Sequence, residues 1–291
     1  MSHPALKPGA VAVITGGASG IGLAAARRFV GLGVTVCIAD LGQDRLAQAV
    51  KAIRAEAAHG ADVAAFEVDV SDRIGLEALE AAVFTQFGGT DILMNNAAIQ
   101  AATDALGSAD DWRRLMDINL WGVIDGSQVF APRMIARRRS GLIINTGSKQ
   151  GVTTPPGNPG YNVSKAGVKV YTEALQHQLR NTPGCRVSAH LLIPGFVFTP
   201  LAAAGRTRKP AGAWTAEQTV DFMLARLAFD DFYILCPDDE VDRVLDEKRI
   251  AWAAGDLLNN RPPLSRWHPE HAPLFEAFLA SGDDDDDARD A

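Results

Sequence analysis

Hydrophobic positions along the chain fall into two alternating textures. Short, nearly continuous apolar runs occur at AVAVIT (10–15), VTVCIA (34–39), VAAFEV (63–68), DILMN (91–95), GLIINT (141–146), CRVSAHLLI (185–193) and FYILC (232–236). Runs of this length and density predict strands buried on both faces. Between them lie alanine-rich segments with helical spacing, among them GLAAARRF (22–29), QDRLAQAVKAIRAEA (43–57) and RIGLEALEAAVFTQF (73–87). The alternation predicts a single doubly wound α/β Rossmann domain, a parallel sheet with helices on both faces and right-handed crossovers.

After Pro200 the texture changes. LAAAGRTRKPAGAW (201–214) reads as a small, basic loop, and residues 200–230 as a substrate lid. TAEQTVDFMLARLAF (215–229) predicts a helix with Thr215 as N-cap. One more helix is expected at 240–255, and the proline-rich RPPLSRWHPEHAP (261–273) reads as an irregular arm. The domain organisation expected is 1–235 as the catalytic domain and 236–282 as an extension packed on it. Residues 283–291 then form an acidic, disordered tail, which solvates the chain end or docks to a basic partner.

Charge and composition narrow the function classes. The formal net charge is −7, and residues 283–291 hold six Asp and one Arg, so the tail carries −5 and the body only −2. A nearly neutral body argues against nucleic acid as a partner. No apolar run reaches membrane-spanning length and the N-terminus lacks a signal-peptide pattern, so a cytoplasmic protein off the membrane is expected. Cys37, Cys185 and Cys236 are few and far apart, which argues against a disulfide framework. His268 and His271 have a spacing that suits a metal, but a flanking proline and no third ligand nearby leave no metal site expected.

Candidate chemistry begins where the first strand runs into TGGASGIG (15–22) and then a helix. Gly16 allows a tight turn, Gly20 lets a pyrophosphate approach the backbone, and Gly22 lets the helix pack closely. The helix N-terminus turns free N–H groups and a positive dipole end toward phosphate. The second strand ends at Asp40, where a carboxylate accepts from both ribose hydroxyls and repels a 2′-phosphate. No Arg or Lys lies in the glycine turn or directly after Asp40, which favours NAD over NADP. The alternative is that Asp40 only caps the next helix.

Further along, YNVSK (161–165) sets a phenol and an ammonium one helical turn apart on one face. Hydride transfer at a carbinol carbon needs a proton moved at the oxygen. Tyr161 does this if Lys165 draws its pKa down from about 10 toward neutrality. Ser148, at the end of the fifth strand, offers a hydrogen bond to the substrate oxygen. The proline-rich TTPPGNPG (153–160) reads as the loop that carries the chain from Ser148 into the Tyr161 helix.

Over residues 8–200 these motifs together resemble the classical short-chain dehydrogenases/reductases. The glycine spacing is of the classical type, Asp69-Val70 resembles the family's adenine contact, and Asn95–Ala98 (NNAA) its NNAG with Ala98 in place of glycine. Ser148 stands thirteen residues before Tyr161, as in the family, and Pro194–Thr199 (PGFVFT) resembles the nicotinamide-carboxamide segment. The resemblance implies a seven-stranded parallel sheet in order 3-2-1-4-5-6-7 and a catalytic set of Asn119, Ser148, Tyr161 and Lys165. It implies that Asn119 holds a water linking Lys165 to solvent, with satisfaction of buried backbone as the alternative. It implies cofactor contacts at Gly16, Ser19, Gly20, Ile21, Gly22, Asp40, Asp69 and Val70. Further contacts are implied at Asn96, Ala97, Tyr161, Lys165, Pro194, Gly195, Val197 and Thr199.

A homodimer or homotetramer through the helices around Trp112–Arg137 and Tyr161–Arg180 is implied as well. Departures are Thr146-Gly147 before Ser148, and charged Lys149 beside Gln150 on the expected substrate side. Ser148, Gln150, Tyr161 and Trp214 are the expected substrate contacts. Trp214, Phe222 and Met223 either line an apolar or aromatic pocket or pack the lid helix. The expected activity is NAD(H)-dependent interconversion of a secondary alcohol and a ketone. A non-catalytic NAD(H) sensor and an epimerase or dehydratase are the rivals.

Overall fold

A computed structural model describes residues 2–58, 60–203 and 205–281. The acidic run 283–291 lies outside the described residues. Seven strands pair in one sheet: β1 (Val11–Thr15), β2 (Thr35–Asp40), β3 (Val63–Glu67), β4 (Ile92–Asn95), β5 (Gly141–Thr146), β6 (Val187–Ile193) and β7 (Tyr233–Leu235). Their spatial order is β3-β2-β1-β4-β5-β6-β7 and every pairing is parallel. Every strand falls inside or within a residue of its apolar run, trimmed where the ends turn polar or meet glycine.

Successive side chains on a strand point to opposite faces, and the two core layers divide accordingly. Ala12, Ile14, Val36, Ile38 and Met94 join α1 (Gly20–Gly31), α2 (Gln43–Arg54) and α8 (Ala216–Leu227) in one apolar cluster. Their neighbours Val11, Val13, Cys37 and Leu93 join α3 (Arg73–Phe87), α5 (Gly122–Ala136) and α7 (Pro159–Arg180) in the other. Both faces are therefore covered, which a parallel sheet requires. Before α5, α4 (Ala109–Met116) runs through a π-helical turn, Asp117–Trp121. Trp121 at its end, with Val163 and Val170 on α7, is exposed on the faces where a second copy is expected.

The segment expected as a lid helix is instead part of the sheet layer. In α8, Val220, Met223 and Leu227 are buried against α1, and Arg28 forks onto Asp221 with both nitrogens. Thr215 caps it in a full capping box with Gln218. Beyond β7, α9 (Arg243–Leu258) follows, and the proline-rich arm then holds only a short 3₁₀ turn, Ser265–Trp267. A last helix, α10 (Ala272–Ala280), packs Phe275 and Phe278 on Trp252 and was not expected from the sequence. His268 and His271 meet edge to face.

The N-terminal arm is pinned by a proton-ordered chain. The Ala5 amide donates to His3 Nδ1, His3 Nε2 donates to Ser188, Ser188 donates to His190 Nε2, and His190 Nδ1 donates to the Asp231 carbonyl. Burial holds His3 at about 4 and lowers His190, so both rings stay neutral. All three cysteines are free, and burial pushes the Cys37 and Cys236 thiols up to about 12. No helix among the described residues is long and apolar enough to cross a membrane.

At Gly22 an added Cβ would stand 2.2 Å from the Gly16 carbonyl oxygen, a backbone atom. Replacing Gly22 by Ala should therefore lower stability by about 1–3 kcal/mol, the usual range for overpacking. Urea or thermal unfolding checks this, and an unchanged midpoint would refute it.

Candidate active site

β1 has β2 on one side and β4 on the other, so the crossovers diverge and leave a crevice at the strand ends. A cleft of about 680 Å³ opens there. At its floor the chain leaves Thr15 through Gly16, whose φ is +63°, a left-handed value that favours glycine. A Cβ on Gly16 would reach 2.8 Å from the Ala97 Cα. Gly20, at φ +52°, opens α1 and faces Thr199 across the cleft. Gly17 was not singled out from the sequence, yet its Cα lies so close to β2 that a Cβ would stand 2.7 Å from Ile38. Ser19 caps α1 with no side-chain bond to the first turn, and no acidic residue lies in that turn. These free amides and the open glycine surface fit a pyrophosphate.

Gly16, Ser19, Gly20 and Ile21 line this cleft, while Gly22 sits behind it against the turn. Asp69, Val70, Asn96 and Ala97 line its flank. The Asn96 side chain donates to the Thr15 and Gly16 carbonyls, and Thr15 Oγ1 accepts from the amides of Asn96 and Ala97. That lacing holds the two strand ends at fixed separation. Asp69 Oδ1 is taken by Ser71.

Asp40 Oδ2 accepts from the Ala18 amide, and Oδ1 accepts from the Leu41 amide and from Arg45 at 2.9 Å. Asp40 thus ties the glycine turn to β2. Arg45 lines the same end of the cleft. This cation was missed because it lies five residues on, in the first turn of α2, and not directly after Asp40.

The Ser148 end of the cleft is built on β5, α6 (Gln150–Thr153) and α7. α7 begins at Pro159, two residues before Tyr161, so the expected loop is shorter than TTPPGNPG. Proline suits a first helical position because its missing N–H would be unpaired there anyway. Asn158 caps the helix, accepting from the Tyr161 amide, and Asn162 donates to the Pro155 carbonyl. Gly151 in α6 lets that turn lie on the Lys165 backbone, where a Cβ would come within 2.4 Å.

Tyr161 and Lys165 are 7% and 2% exposed. Lys165 Nζ lies 5.8 Å from the Tyr161 ring centroid and donates to the Thr146 carbonyl at 2.8 Å. Ser148 hydrogen-bonds the phenol and accepts from the Gln150 amide at 3.1 Å. The expected fall of the Tyr161 pKa does not occur here. Burial pushes it up to about 12, and the Ser148 bond recovers only part of that. Burial also brings Lys165 down to about 8. Desolvation outweighs the Ser148 bond, so the resting phenol is protonated.

Asn119, fully buried in the π-helical turn, clasps the Ile99 backbone, accepting from its amide at 2.8 Å and donating to its carbonyl at 2.9 Å. It also reaches Ser164 at 3.4 Å. The alternative reading, satisfaction of buried backbone, describes these contacts. The described contacts include none between Asn119 and Lys165.

Pro194, Gly195, Val197 and Thr199 line the opposite wall. Lys149 lines the cleft as expected, but its ammonium bridges Asp238 at 3.3 Å and Asp246 at 2.6 Å, all three side chains being largely buried. Asp238 in turn accepts from the Phe196 amide. The C-terminal extension therefore grips both the Ser148 turn and the Pro194–Thr199 segment.

Trp214 does not reach the cleft. Its backbone pairs with Phe196 and Phe198, and its ring meets Phe222 edge to face against the α1 layer. Neither it nor Phe222 and Met223 supports an aromatic substrate pocket. Gln150 does line the cleft.

Fold and cleft together define a doubly wound α/β protein with a dinucleotide-type crevice. The family model described as short chain dehydrogenase matches residues 10–210. The chain is 31% identical over 253 residues to 1-deoxy-11-beta-hydroxypentalenate dehydrogenase of Streptomyces avermitilis, covering 85% of this chain and 91% of that one. It is 32% identical to the 3-oxoacyl-[acyl-carrier-protein] reductase of Thermotoga maritima, covering 77% and 92%. A crystal structure of a short chain dehydrogenase/reductase from Burkholderia phymatum in complex with NAD superposes with a TM-score of 0.79 at 32% identity, covering 89% and 97%. The chain belongs to the classical short-chain dehydrogenase/reductase family, and so to the oxidoreductases.

The buried Lys165 makes stability depend on pH. An unfolded lysine keeps its proton to 10.5, whereas the folded one releases it near 8. Between those values the unfolded state binds more protons, so raising the pH stabilises the fold. The stability of wild type minus that of Lys165→Met should climb from pH 8 to 10.5, by up to about 1.4 kcal/mol per pH unit. Urea titrations at each pH measure it, and a flat difference would refute the depressed lysine.

Proposed function

We propose that the protein is an NAD(H)-dependent oxidoreductase that interconverts a secondary alcohol and a ketone, with Tyr161 as acid and base. The observation that carries this reading is the buried Tyr161 phenol, bonded by Ser148 and backed by Lys165, in the same cleft as the glycine turn. One relative is by name a dehydrogenase of a hydroxylated compound and another a reductase of a 3-oxoacyl group, which supports the same chemistry. When bound, the nicotinamide supplies or accepts the hydride.

Ser148 donates to the substrate oxygen and, with Tyr161, fixes its position. Tyr161, protonated at rest, is the proton donor to that oxygen during ketone reduction. Lys165 supplies positive charge beneath the ring and stabilises the phenolate left behind. The Gly16–Gly22 turn and the first turn of α1 hold the pyrophosphate, and Asp40 receives the adenosine ribose. Replacing Tyr161 by Phe should cut turnover at least a hundredfold, with NADH affinity by fluorescence titration changed less than threefold. Turnover near wild type would sink the mechanism.

NAD is favoured over NADP because the Asp40 carboxylate would face a 2′-phosphate, while Arg45 is engaged by that same carboxylate. The kcat/KM for NAD should exceed that for NADP at least tenfold. Asp40→Ser frees Arg45 and should narrow the ratio tenfold or more. Equal use of both cofactors by wild type would contradict the role given to Asp40.

A further inference from the structure

Beyond the reacting atoms, the polar groups at the substrate end of the cleft are unevenly satisfied. Asp238 is saturated: Oδ2 accepts from Lys149 and the Phe196 amide, and Oδ1 from the amides of Glu240 and Val241. Lys149 is divided between Asp238 and Asp246. Asp238 is closed to a ligand cation and the charge of Lys149 is met by the two carboxylates, whereas Asp246 Oδ2 has Lys149 as an ion-pair partner but no hydrogen bond. Arg249 differs. It lies on α9, which packs on the α6 turn after Ser148, and it borders the cleft. Its Nε is buried with no hydrogen-bond partner among the described residues.

A buried donor left without a partner is costly, more so when charged, and buried polar groups are nearly always paired. Asp246 is the carboxylate whose field Arg249 shares, but its close contact is Lys149. On its other side Arg249 borders a second cavity of about 320 Å³ with Arg266 and Trp267. Arg266 is lowered by burial and then by the charge of Arg249, with Glu276 opposing. Arg266 lies over the Trp267 and Phe275 rings. Arg249 and Arg266 thus both border this second cavity, whose lining carboxylate Asp256 is already held by Arg261 and the Ser265 amide. Ile99, Phe196 and Val241 give the intervening cleft wall an apolar surface.

We propose that Arg249 receives a carboxylate of the substrate, so that the substrate is a hydroxy or keto acid. An apolar skeleton spans from the carbon at Tyr161 to the anion at Arg249. A guanidinium fork matches a carboxylate with two parallel hydrogen bonds. This inference rests on the oxidoreductase reading above for the reacting carbon, but not for the anion.

The test pairs cyclic secondary-alcohol acids, beginning with 4-hydroxycyclohexanecarboxylate, with their methyl esters, followed at the nicotinamide absorbance. Wild type should favour acid over ester at least tenfold in kcat/KM. Arg249→Gln should erase that preference, chiefly through the KM of the acid, and Arg249→Lys should keep part of it. No preference in wild type, or one that survives in Arg249→Gln, overturns the proposal.

Calorimetric binding of the unreactive 4-tert-butylbenzoate separates the two readings. Binding at least tenfold weaker in Arg249→Gln, with no alcohol oxidised by wild type, keeps the anion site and sinks the redox reading. Equal binding by both proteins sinks the anion site. Tighter binding of phenyl phosphate than of the benzoate overturns the carboxylate assignment in favour of a phosphate ester.

Discussion

Everything at the site depends on the reversal of strand order at β1. A strand with parallel neighbours β2 and β4 sends its two flanking crossovers to opposite faces, and no backbone covers the carboxyl ends between them. Thr15, Asp40, Asn96, Thr146 and Pro194 all stand at such ends, on five different strands. Their separations are set by backbone hydrogen bonds of the sheet. The lacing of Asn96 to the Thr15 and Gly16 carbonyls extends that rigidity into the glycine turn.

Beneath Tyr161 and Lys165 the support is polar. Asn95 donates to Asn145, Asn145 donates to Thr172, and Thr172 donates to the Val168 carbonyl, all fully or nearly fully buried. Each such bond contributes about 1 kcal/mol net, but leaving a partner unpaired costs more. The chain of bonds therefore favours one spacing between β4, β5 and α7, and α7 carries Tyr161 and Lys165. The same burial governs their chemistry. It keeps the phenol protonated and brings the ammonium close to neutrality, so the proton inventory of the site is set by dielectric before any ligand arrives.

What could be read from the sequence was local or periodic. Alternate residues of AVAVIT do divide between two core layers, and the glycine turn announces itself because it joins a strand to a helix within one short run, although Gly16, Gly17 and Gly20 answer to the distant Ala97, Ile38 and Thr199. Tyr161 and Lys165 are one turn apart on any helix. Most of the misreadings involve distant partners. Nothing near Lys149 hints at Asp238 and Asp246, 89 and 97 positions later. Trp214, Phe222 and Met223 look alike whether α8 covers a cleft or packs on α1, because an apolar face does not name what it faces. The direction of the Tyr161 shift depends on depth of burial, which spacing does not encode. α10 lacked a visible start because a proline arm precedes it and its cap makes no side-chain bond.

The bridge from Lys149 to Asp238 and Asp246 joins the segment that the family model matches to one outside it. The C-terminal third is thus not an interchangeable module. A chimaera that draws this part from a relative without the two aspartates inherits a stranded ammonium one residue from Ser148. Specificity and catalysis in this chain are inherited together.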